Sequence, residues 1–410
     1  MSRVWRRAGA SLVLAAVITG CQERLTAPAE CPALCPGGSQ QLVDTVVAPR
    51  SPGGDSTFGL PSGYVERGGG RALLVSNGLP ASEDRAVYRF DVRSASISVR
   101  DTLRKYDVDS VTLSLSMVAR DTLINGLQVQ LFRLPPTVDS TATFAEIEAA
   151  MTPDKLIQTI AVPDSVNSGL LTTTLTGAAL APVELPPGGD SVLAMGIRIV
   201  ADAPTGVRLG SLVGGNAATF TSYVTLDVPD TTSIRKQSMV RGTRFNTFVT
   251  ESPVVPSDTL LTVGGEPSSR SLLRFDLPSS LLDSAFVVRA TLELIPATPI
   301  LGLPTDIATL QAAAVVSDLG AKSPLTTELA LTITDTLDAV QSDTVRLEVT
   351  NLVQRWQLDR ARPQAIFLRL GADSEGASFS RAVFGSSRSP SIGAPRLRIT
   401  YQRSFPFETP

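Results

Sequence analysis

The three cysteines of the sequence stand at positions 21, 31 and 35, and a thiol can form a thioether, a disulfide or a bond to a metal ion. Cys21 ends the run Ile18-Thr19-Gly20-Cys21, in which a branched aliphatic residue and two small residues precede the cysteine. Small residues let a peptidase approach the backbone, and a thiol is the side chain that forms a thioether. The run therefore combines an accessible backbone with a reactive thiol at Cys21.

The residues before Cys21 fit this chemistry. Three arginines and no acid lie within residues 1–7, and residues 8–17 form an apolar stretch that is too short to span a bilayer. A basic start, an apolar stretch and a small-residue cleavage site are typical of a secretory signal peptide. With Cys21 the pattern resembles the lipobox of bacterial lipoproteins, so we expect a lipoprotein signal peptide over residues 1–20. The alternative is an ordinary secretory signal with an incidental cysteine.

The resemblance to lipoproteins implies export and attachment to a membrane through the lipid on Cys21. Gln22 follows the cysteine in place of the aspartate that resembles an inner-membrane retention signal, so we expect an outer-membrane location. No later segment reaches the roughly 20 apolar residues that a transmembrane helix needs. Residues 21–41 are rich in Pro, Ala, Gly and Ser, a composition that predicts a flexible tether.

Cys31 and Cys35 lie within this predicted tether, on either side of Pro32-Ala33-Leu34. In an oxidising compartment the pair can close a small disulfide loop. The alternative is two free thiols in a flexible segment. Two cysteines are too few for a structural zinc site, which generally takes four ligands, so we predict no metal here.

Histidine is absent from the sequence, which excludes Ser-His-Asp catalysis, Cys-His catalysis and histidine-bound metals. Paired carboxylates, as in glycosidases, need no histidine, but no segment concentrates acids beside aromatic residues. The sequence also lacks a glycine-rich phosphate loop, a Gly-x-Ser-x-Gly elbow and a zinc-protease motif. We therefore predict a protein that is not an enzyme and that carries no cofactor.

The net charge of the chain is −3, and loss of the three arginines of the signal peptide makes it −6. A mildly acidic chain lacks the positive field that attracts nucleic acids. We therefore expect no nucleic-acid partner.

Beyond the tether, apolar and polar residues alternate in short runs separated by Gly, Pro, Asp and Ser. Clear examples are Val111 to Met117, Leu127 to Leu131 and Arg396 to Tyr401. A period of two between turn residues predicts half-buried antiparallel strands, and hence an all-β sandwich or barrel. Helical patterns occur over residues 143–151 and 350–357, where we predict short helices.

The chain repeats itself. Val87 to Val92 is echoed by Leu272 to Leu277, and the Arg-Phe-Asp cores of these runs lie 185 positions apart. Two further pairs follow in the same order: Val111 to Leu115 with Ala290 to Leu294, and Ile197 to Asp202 with Leu368 to Asp373. Similar elements in the same order argue for duplication of one domain. We predict tandem domains over residues 42–228 and 237–402, joined by residues 229–236.

Four stretches of the second repeat carry a family resemblance: Ser271 to Pro278, Val288 to Leu294, Val349 to Trp356 and Pro395 to Tyr401. In this order they resemble DNRLRE domains, which occur in surface proteins of bacteria and archaea and are related to a carbohydrate-binding module family. The resemblance implies that both domains are jelly-roll-like antiparallel β-sandwiches with a role in glycan binding or surface attachment. The first repeat departs from the pattern, because Thr176 to Leu180 lacks the tryptophan expected there.

Arginines in or beside these stretches are the candidate ligand-binding residues: Arg274, Arg369, Arg381 and Arg388. A guanidinium pairs with two oxygens of a carboxylate or sulfate, so an acidic polysaccharide or another envelope component is the expected partner. Alternation places Arg274 and Asp276 on one exposed face, where a cross-strand ion pair is the simpler explanation. Arg198 and Arg369 recur in the two repeats, each four residues before an aspartate, and we expect structural ion pairs there.

The aromatic residues of the repeats favour the core. Phe90 and Phe275 fall on the apolar faces of their strands. Trp356 follows two apolar residues at the spacing of a buried helical face, which favours a core position over a sugar-stacking platform. Acidic clusters with glycine at residues 188–190 and 373–376 lack the ordered ligand spacing of a calcium loop, so we predict turns.

Functions from two different classes fit these features. The first is glycan binding or envelope attachment; the low aromatic content of 5% weighs against it because sugars usually stack on exposed rings, although arginine-bound acidic polysaccharides avoid this objection. The second is a purely structural or adhesive stalk in which the sandwiches are spacers. A glycan-degrading enzyme that uses paired carboxylates is the least favoured.

Overall fold

The structure is a computed structural model that describes residues 42–60, 62–79, 83–184, 192–228, 235–251, 257–305, 307–389 and 391–403. The following predicted features lie outside these residues: the signal peptide (1–20), the tether (21–41), Cys21, Cys31, Cys35, the acidic cluster at 188–190 and most of the link at 229–236. We call residues 42–58 the N-terminal segment, residues 59–251 the first half and residues 257–403 the second half.

The fold is mostly β, with 49% of residues in strands and 10% helical, and its sheets are antiparallel. This confirms the predicted all-β class. The strands of the N-terminal segment and the first half are β1 (Leu42–Val47), β2 (Asp55–Phe58), β3 (Ala72–Asn77), β4 (Glu83–Phe90), β5 (Ile97–Val99), β6 (Thr102–Arg104), β7 (Tyr106–Arg120), β8 (Gln128–Leu134), β9 (Leu156–Ala161), β10 (Gly169–Thr176), β11 (Ala194–Val200), β12 (Thr205–Gly210), β13 (Thr219–Leu226) and β14 (Lys236–Glu251). The strands of the second half are β15 (Leu261–Gly265), β16 (Ser268–Arg274), β17 (Ala285–Leu294), β18 (Ala308–Ala314), β19 (Thr332–Leu337), β20 (Val345–Glu348), β21 (Ala365–Leu370), β22 (Arg381–Phe384) and β23 (Arg396–Arg403).

The α-helices among the described residues are short: α1 (Phe144–Ala150), α2 (Ser279–Asp283) and α3 (Thr350–Leu358). Both predicted helices, α1 and α3, are confirmed. A capping box starts α1, because Thr143 Oγ1 accepts a hydrogen bond from the Glu146 backbone and the Glu146 carboxylate accepts one from the Thr143 backbone. In the first half the 3-10 turn Gly177–Leu180 occupies the chain position of α3.

The strands of the first half follow the order β3-β12-β7-β13-β14-β4-β11-β8-β9, with β10 also paired to β7. The long strand β14 joins two layers. Lys236 to Gly242 pairs with β13, Thr243 to Glu251 pairs with β4, and the register shifts between Thr243 and Phe245. Strands commonly pass from one layer of a sandwich to the other through such an irregularity.

The second half has the same arrangement of strands. The order β16-β21-β18-β19 matches β4-β11-β8-β9, and β23-β17-β20 matches β13-β7-β10. The registers agree as well, because Arg198 of β11 lies opposite Gln130 of β8 and Arg369 of β21 lies opposite Gln311 of β18. The pairs β13–β7 and β23–β17 each also contain one register shift.

The predicted domains, 42–228 and 237–402, exchange their closing strands. In the first half, β14 pairs with β13 and β4; in the second half, the N-terminal segment supplies the equivalent strands, because β1 pairs with β23 and β2 pairs with β16. The sheets therefore do not follow the predicted limits of 42–228 and 237–402. Alternation reveals which face of a strand is buried but does not identify its hydrogen-bonding partner.

Each half has its own apolar core, and both cores collect side chains from two layers. Phe90 and Phe275 are 0% and 2% exposed, and Trp356 is 1% exposed, so the predicted core positions are confirmed. The rings of Phe275 and Trp356 pack with centroids 6.4 Å apart. The first core also includes Leu303 and Phe379 from the second half, which gives the halves a shared apolar contact.

Candidate functional site

The structure places Arg274 in a partly exposed ion pair. Its Nε and Nη2 donate to the two carboxylate oxygens of Asp318 at 2.5 and 2.9 Å, and these hydrogen bonds hold the pKa of Asp318 below its usual value. An ion pair was predicted, but the partner lies in the β18–β19 loop and not on a neighbouring strand. Arg274 Nη1 also donates to the carbonyl oxygen of Gly53 at 3.4 Å. Arg274 therefore helps to hold the N-terminal segment.

Arg388 contacts the same segment. Its Nε lies 3.7 Å from Oδ1 of Asp55, a residue of β2 that is 3% exposed. Asp55 also accepts hydrogen bonds from the backbone nitrogen and the hydroxyl of Ser387, at 2.5 and 2.9 Å. A buried carboxylate needs such donors. These contacts fix β2 on the second half.

Arg369 contacts Gln311 on β18 and Glu375 in the turn that follows β21. Its Nε donates to Gln311 Oε1 at 3.1 Å, and its Nη1 lies 3.9 Å from Glu375 Oε2. The carboxylate of Glu375 is buried and is bound by both Nε and Nη2 of Arg270. Burial lowers the pKa of the Arg369 guanidinium from its ordinary value.

The predicted pairing of Arg198 and Arg369 with the aspartates four residues later is wrong. Arg198 donates to Gln130 Oε1 from Nε and Nη2, at 3.1 and 2.9 Å, and lies 3.3 Å from Glu148. Asp373, the aspartate after Arg369, contacts Arg71 at 2.9 Å instead. Cross-strand neighbours are closer than residues four apart on an extended chain. The Arg–Gln pair is thus a structural feature common to both halves.

Arg381 belongs to a buried polar cluster between the halves. It is 4% exposed, and burial lowers the pKa of its guanidinium. The carboxylate of Glu266, in the turn between β15 and β16, lies near it and is 3.4 Å from Arg67 Nε. Thr250 Oγ1 lies 3.1 Å from Glu266 Oε1 and 2.7 Å from Asp84 Oδ1. Burial and the charge of Asp84 raise the pKa of Glu266 to about 7.

A different set of arginines faces solvent, on the outer face of the sheet β1-β23-β17-β20. There a shallow depression of about 250 Å³ is lined by Arg289, Thr291, Glu293, Arg346, Glu348 and Arg398. We call this surface the arginine face. The side chains of Arg289, Arg346 and Arg398 are 69%, 65% and 52% exposed. Their guanidinium groups can therefore donate hydrogen bonds to an anion that arrives from solvent.

The acids of the arginine face are held by its arginines. Arg289 Nε donates to Glu348 at 2.8 Å. Partial burial raises the pKa of Glu348, but hydrogen bonds from Thr350 and Arg289 outweigh it, so the pKa lies below its usual value. Glu348 is therefore ionised at neutral pH and does not act as a proton donor there.

The sequence contains a signal for this surface, although the predicted ligand-binding arginines lie elsewhere. The run Arg396 to Tyr401 was identified as an alternating strand, and alternation points Arg398 away from the core when Leu397 points into it. The same rule applies to Arg346 in β20, whose burial alternates along the strand.

Few aromatic side chains of the described residues are exposed. Trp356 lies in the core, whereas Phe286 at the start of β17 is 63% exposed and Tyr223 on β13 is 44% exposed. Within the described residues no group of three or more acidic or cysteine side chains is arranged to hold a metal ion. No helix in the described part of the chain has the length and apolar character needed to cross a membrane.

No protein-family model matches the chain, and no curated protein is significantly similar to it. The resemblance to DNRLRE domains therefore stays a prediction from the motifs quoted above.

Proposed function

We propose that this protein is a non-catalytic lipoprotein of the bacterial cell envelope whose β-sandwich halves bind glycan or mediate surface attachment. The observation that carries the proposal is the arginine face, where three outward-facing guanidinium groups surround a depression of about 250 Å³. Guanidinium groups bind carboxylate and sulfate through paired hydrogen bonds. An acidic polysaccharide is therefore the favoured ligand, and binding should weaken as salt screens the charges.

The placement of the carboxylates supports a role without catalysis. A glycosidase needs two carboxyl groups that reach the substrate, one of which donates a proton. Asp84 and Glu266 share a hydroxyl group, but they are only 0% and 7% exposed. On the arginine face, Glu293 and Glu348 are both paired with arginine. Neither pair offers an accessible acid beside an accessible base.

The proposal is tested by passing the purified mature chain over an acidic and a neutral polysaccharide at low and moderate salt, while released sugars are measured. We expect retention on the acidic polysaccharide that falls with added salt, and no released oligosaccharide. Retention on the neutral polysaccharide alone would contradict the proposed binding of acidic groups by the arginines. Release of oligosaccharides would contradict the absence of catalysis.

A structural stalk is the second candidate function. It is favoured by the internal contacts of the arginines nearest the family motifs, since Arg274 and Arg388 hold the N-terminal segment. If no polysaccharide retains the protein, a structural stalk is the better-supported function.

Lipid attachment is tested separately through Cys21. The Cys21→Ser variant should lose the thioether and remain uncleaved or become soluble, whereas Cys31→Ser should keep the lipid. Detergent phase partition of both variants measures this difference. If Cys21→Ser partitions like the unmodified sequence, the lipoprotein proposal is wrong.

A further inference from the structure

The two halves present equivalent outer faces whose residues can be compared position by position. In the first half, Thr112 of β7 lies opposite Thr174 of β10 and Thr221 of β13. The equivalent residues of the second half are Thr291, Glu348 and Arg398. The repeated runs Val111 to Leu115 and Ala290 to Leu294 give the same alignment. Side chains at these positions therefore occupy corresponding places on the two faces.

The chemistry of the two faces differs at these places. The first half has hydroxyl residues where the second half has charged ones. Ser114 is equivalent to Glu293, Thr172 to Arg346 and Thr221 to Arg398. Thr112 and Thr174 satisfy each other through a hydrogen bond of 2.9 Å between their hydroxyl oxygens. The first half therefore has the same backbone framework without the charges that would attract an anion.

Glu293 lies between two arginines at the centre of the arginine face. Its Oε1 is 3.8 Å from Arg346 Nε on β20 and 3.5 Å from Arg398 Nε on β23. These distances are longer than a close hydrogen bond, so both guanidinium groups keep donors for another partner. The Glu293 side chain is 16% exposed, against 65% and 52% for the two arginines. The carboxylate thus lies beneath two cations that face solvent.

We propose that Arg346 and Arg398, held on either side of Glu293, form a binding site for a carboxylate or sulfate group of an acidic polysaccharide, and that the first half has no equivalent site. One carboxylate neutralises one of the two arginines, which leaves a positive charge on the solvent side. An anion that bridges the two guanidinium groups completes their hydrogen bonding and balances that charge. This inference rests on the proposed function and assigns it to one sheet.

The test uses the purified mature chain and three immobilised probes: dextran sulfate, polygalacturonate and unmodified dextran. The variant Arg346→Thr/Arg398→Thr places a hydroxyl residue at each position, as the first half has. We expect its affinity for both acidic probes to fall about tenfold or more, as the loss of charge-assisted hydrogen bonds implies. A difference between dextran sulfate and polygalacturonate shows whether sulfate or carboxylate is preferred. Unmodified dextran should bind neither protein.

The matched control is Arg71→Thr/Arg104→Thr, which removes the same charge from exposed arginines of the first half. We expect it to bind like the unmodified sequence. A second variant, Arg346→Lys/Arg398→Lys, keeps the charge but cannot donate paired hydrogen bonds from a planar group, and it should bind with intermediate affinity. Circular dichroism and the thermal midpoint show whether each variant is folded.

Three outcomes overturn the proposal in distinguishable ways. If the unmodified chain binds acidic probes and Arg346→Thr/Arg398→Thr binds them equally well, the site is misplaced and the proposed function stands. If the control loses as much affinity as that variant, binding is a general charge effect and the site is refuted. If the unmodified chain binds no probe, both the site and the proposed function fall.

Discussion

The carboxylates of Asp84 and Glu266, one from each half of the chain, share a single hydroxyl group, because Thr250 Oγ1 lies 2.7 Å from the first and 3.1 Å from the second. Arg67 contacts Glu266 from the first half, and Arg381 lies near it on β22. Two buried carboxylates that contact the same hydroxyl group repel each other when both are ionised. We therefore expect the contact between the halves to depend on pH.

The first prediction concerns this pH dependence. Glu266 has a pKa raised to about 7 by burial and by Asp84, so the folded state retains a proton that the unfolded state releases near its usual value of about 4.5. Stability should therefore be greatest at low pH with respect to this group, and should fall as the pH rises from about 5 to 8, by on the order of 3 kcal/mol. Thermal midpoints at these pH values measure the fall.

The absence of histidine makes this experiment unusually clear, since no histidine titrates in the same window. Glu266→Gln should remove most of the decrease between pH 5 and pH 8. The control Glu251→Gln changes an exposed carboxylate at the end of β14 and should leave the decrease in place. Equal pH profiles for the unmodified chain and Glu266→Gln would show that Glu266 is not the responsible group.

The second prediction concerns the exchanged strands. A fragment of residues 237–402 lacks β1 and β2, so the edges of β23 and β16 are left unpaired and the fragment should be poorly folded. Residues 257–403 with residues 42–58 fused in front through a Gly-Ser linker should fold cooperatively. Circular dichroism during thermal unfolding compares the two proteins. A sharp transition at the same temperature in both would argue against a structural role for the N-terminal segment.

The third prediction compares two phenylalanines of the second half. Phe275 is 2% exposed and packs on Trp356, whereas Phe286 is 63% exposed. Phe275→Ala should lower the free energy of unfolding by about 3–5 kcal/mol, because it leaves a cavity in the core. Phe286→Ala should change it by less than about 0.5 kcal/mol. Urea unfolding of both variants measures these values, and similar losses in both would contradict the assigned core.

The fourth prediction compares two ion pairs. Arg274 and Asp318 are 13% and 28% exposed and share two hydrogen bonds, whereas Arg289 and Glu348 are 69% and 48% exposed. Arg274→Ala should cost roughly 1–2 kcal/mol in unfolding free energy, and Arg289→Ala less than about 1 kcal/mol.

Hydrogen exchange distinguishes these two variants further. The amide protons of residues 50–58 should exchange faster in Arg274→Ala, because Arg274 also contacts Gly53. They should be unchanged in Arg289→Ala. Unchanged exchange in both variants would show that Arg274 does not hold the N-terminal segment.

Much of the local structure could be predicted from the sequence, because the residues that point into the core recur at regular intervals along a strand or a helix. Alternation correctly assigned Phe275 to the core, and helical spacing did the same for Trp356. These inferences depend only on residues that are close together in the chain. They succeed because a strand or a short helix has one face toward the core.

Relationships between distant residues were not predictable in this way. Arg274 binds an aspartate 44 positions away, in a loop whose path alternation does not constrain. The pairing of β2 with β16 spans more than two hundred residues, and the duplicated sequence alone does not show that the predicted domains exchange strands. The arginine face is an intermediate case, because alternation could have placed Arg346 and Arg398 outward but could not have placed Glu293 between them.

The exchange of strands also sets the order in which the strands can find their partners during synthesis. The side chains of Asp44 and Thr400 are joined by a hydrogen bond across 356 positions of the chain, so the first described strand waits for the last one to be synthesised. The first half has all its strands once β14 has been made. Strand β1 therefore has no strand partner until β23 has been made, whereas β2 can pair once β16 has been made. The synthesis of β23 therefore determines when the backbone of β1 becomes protected.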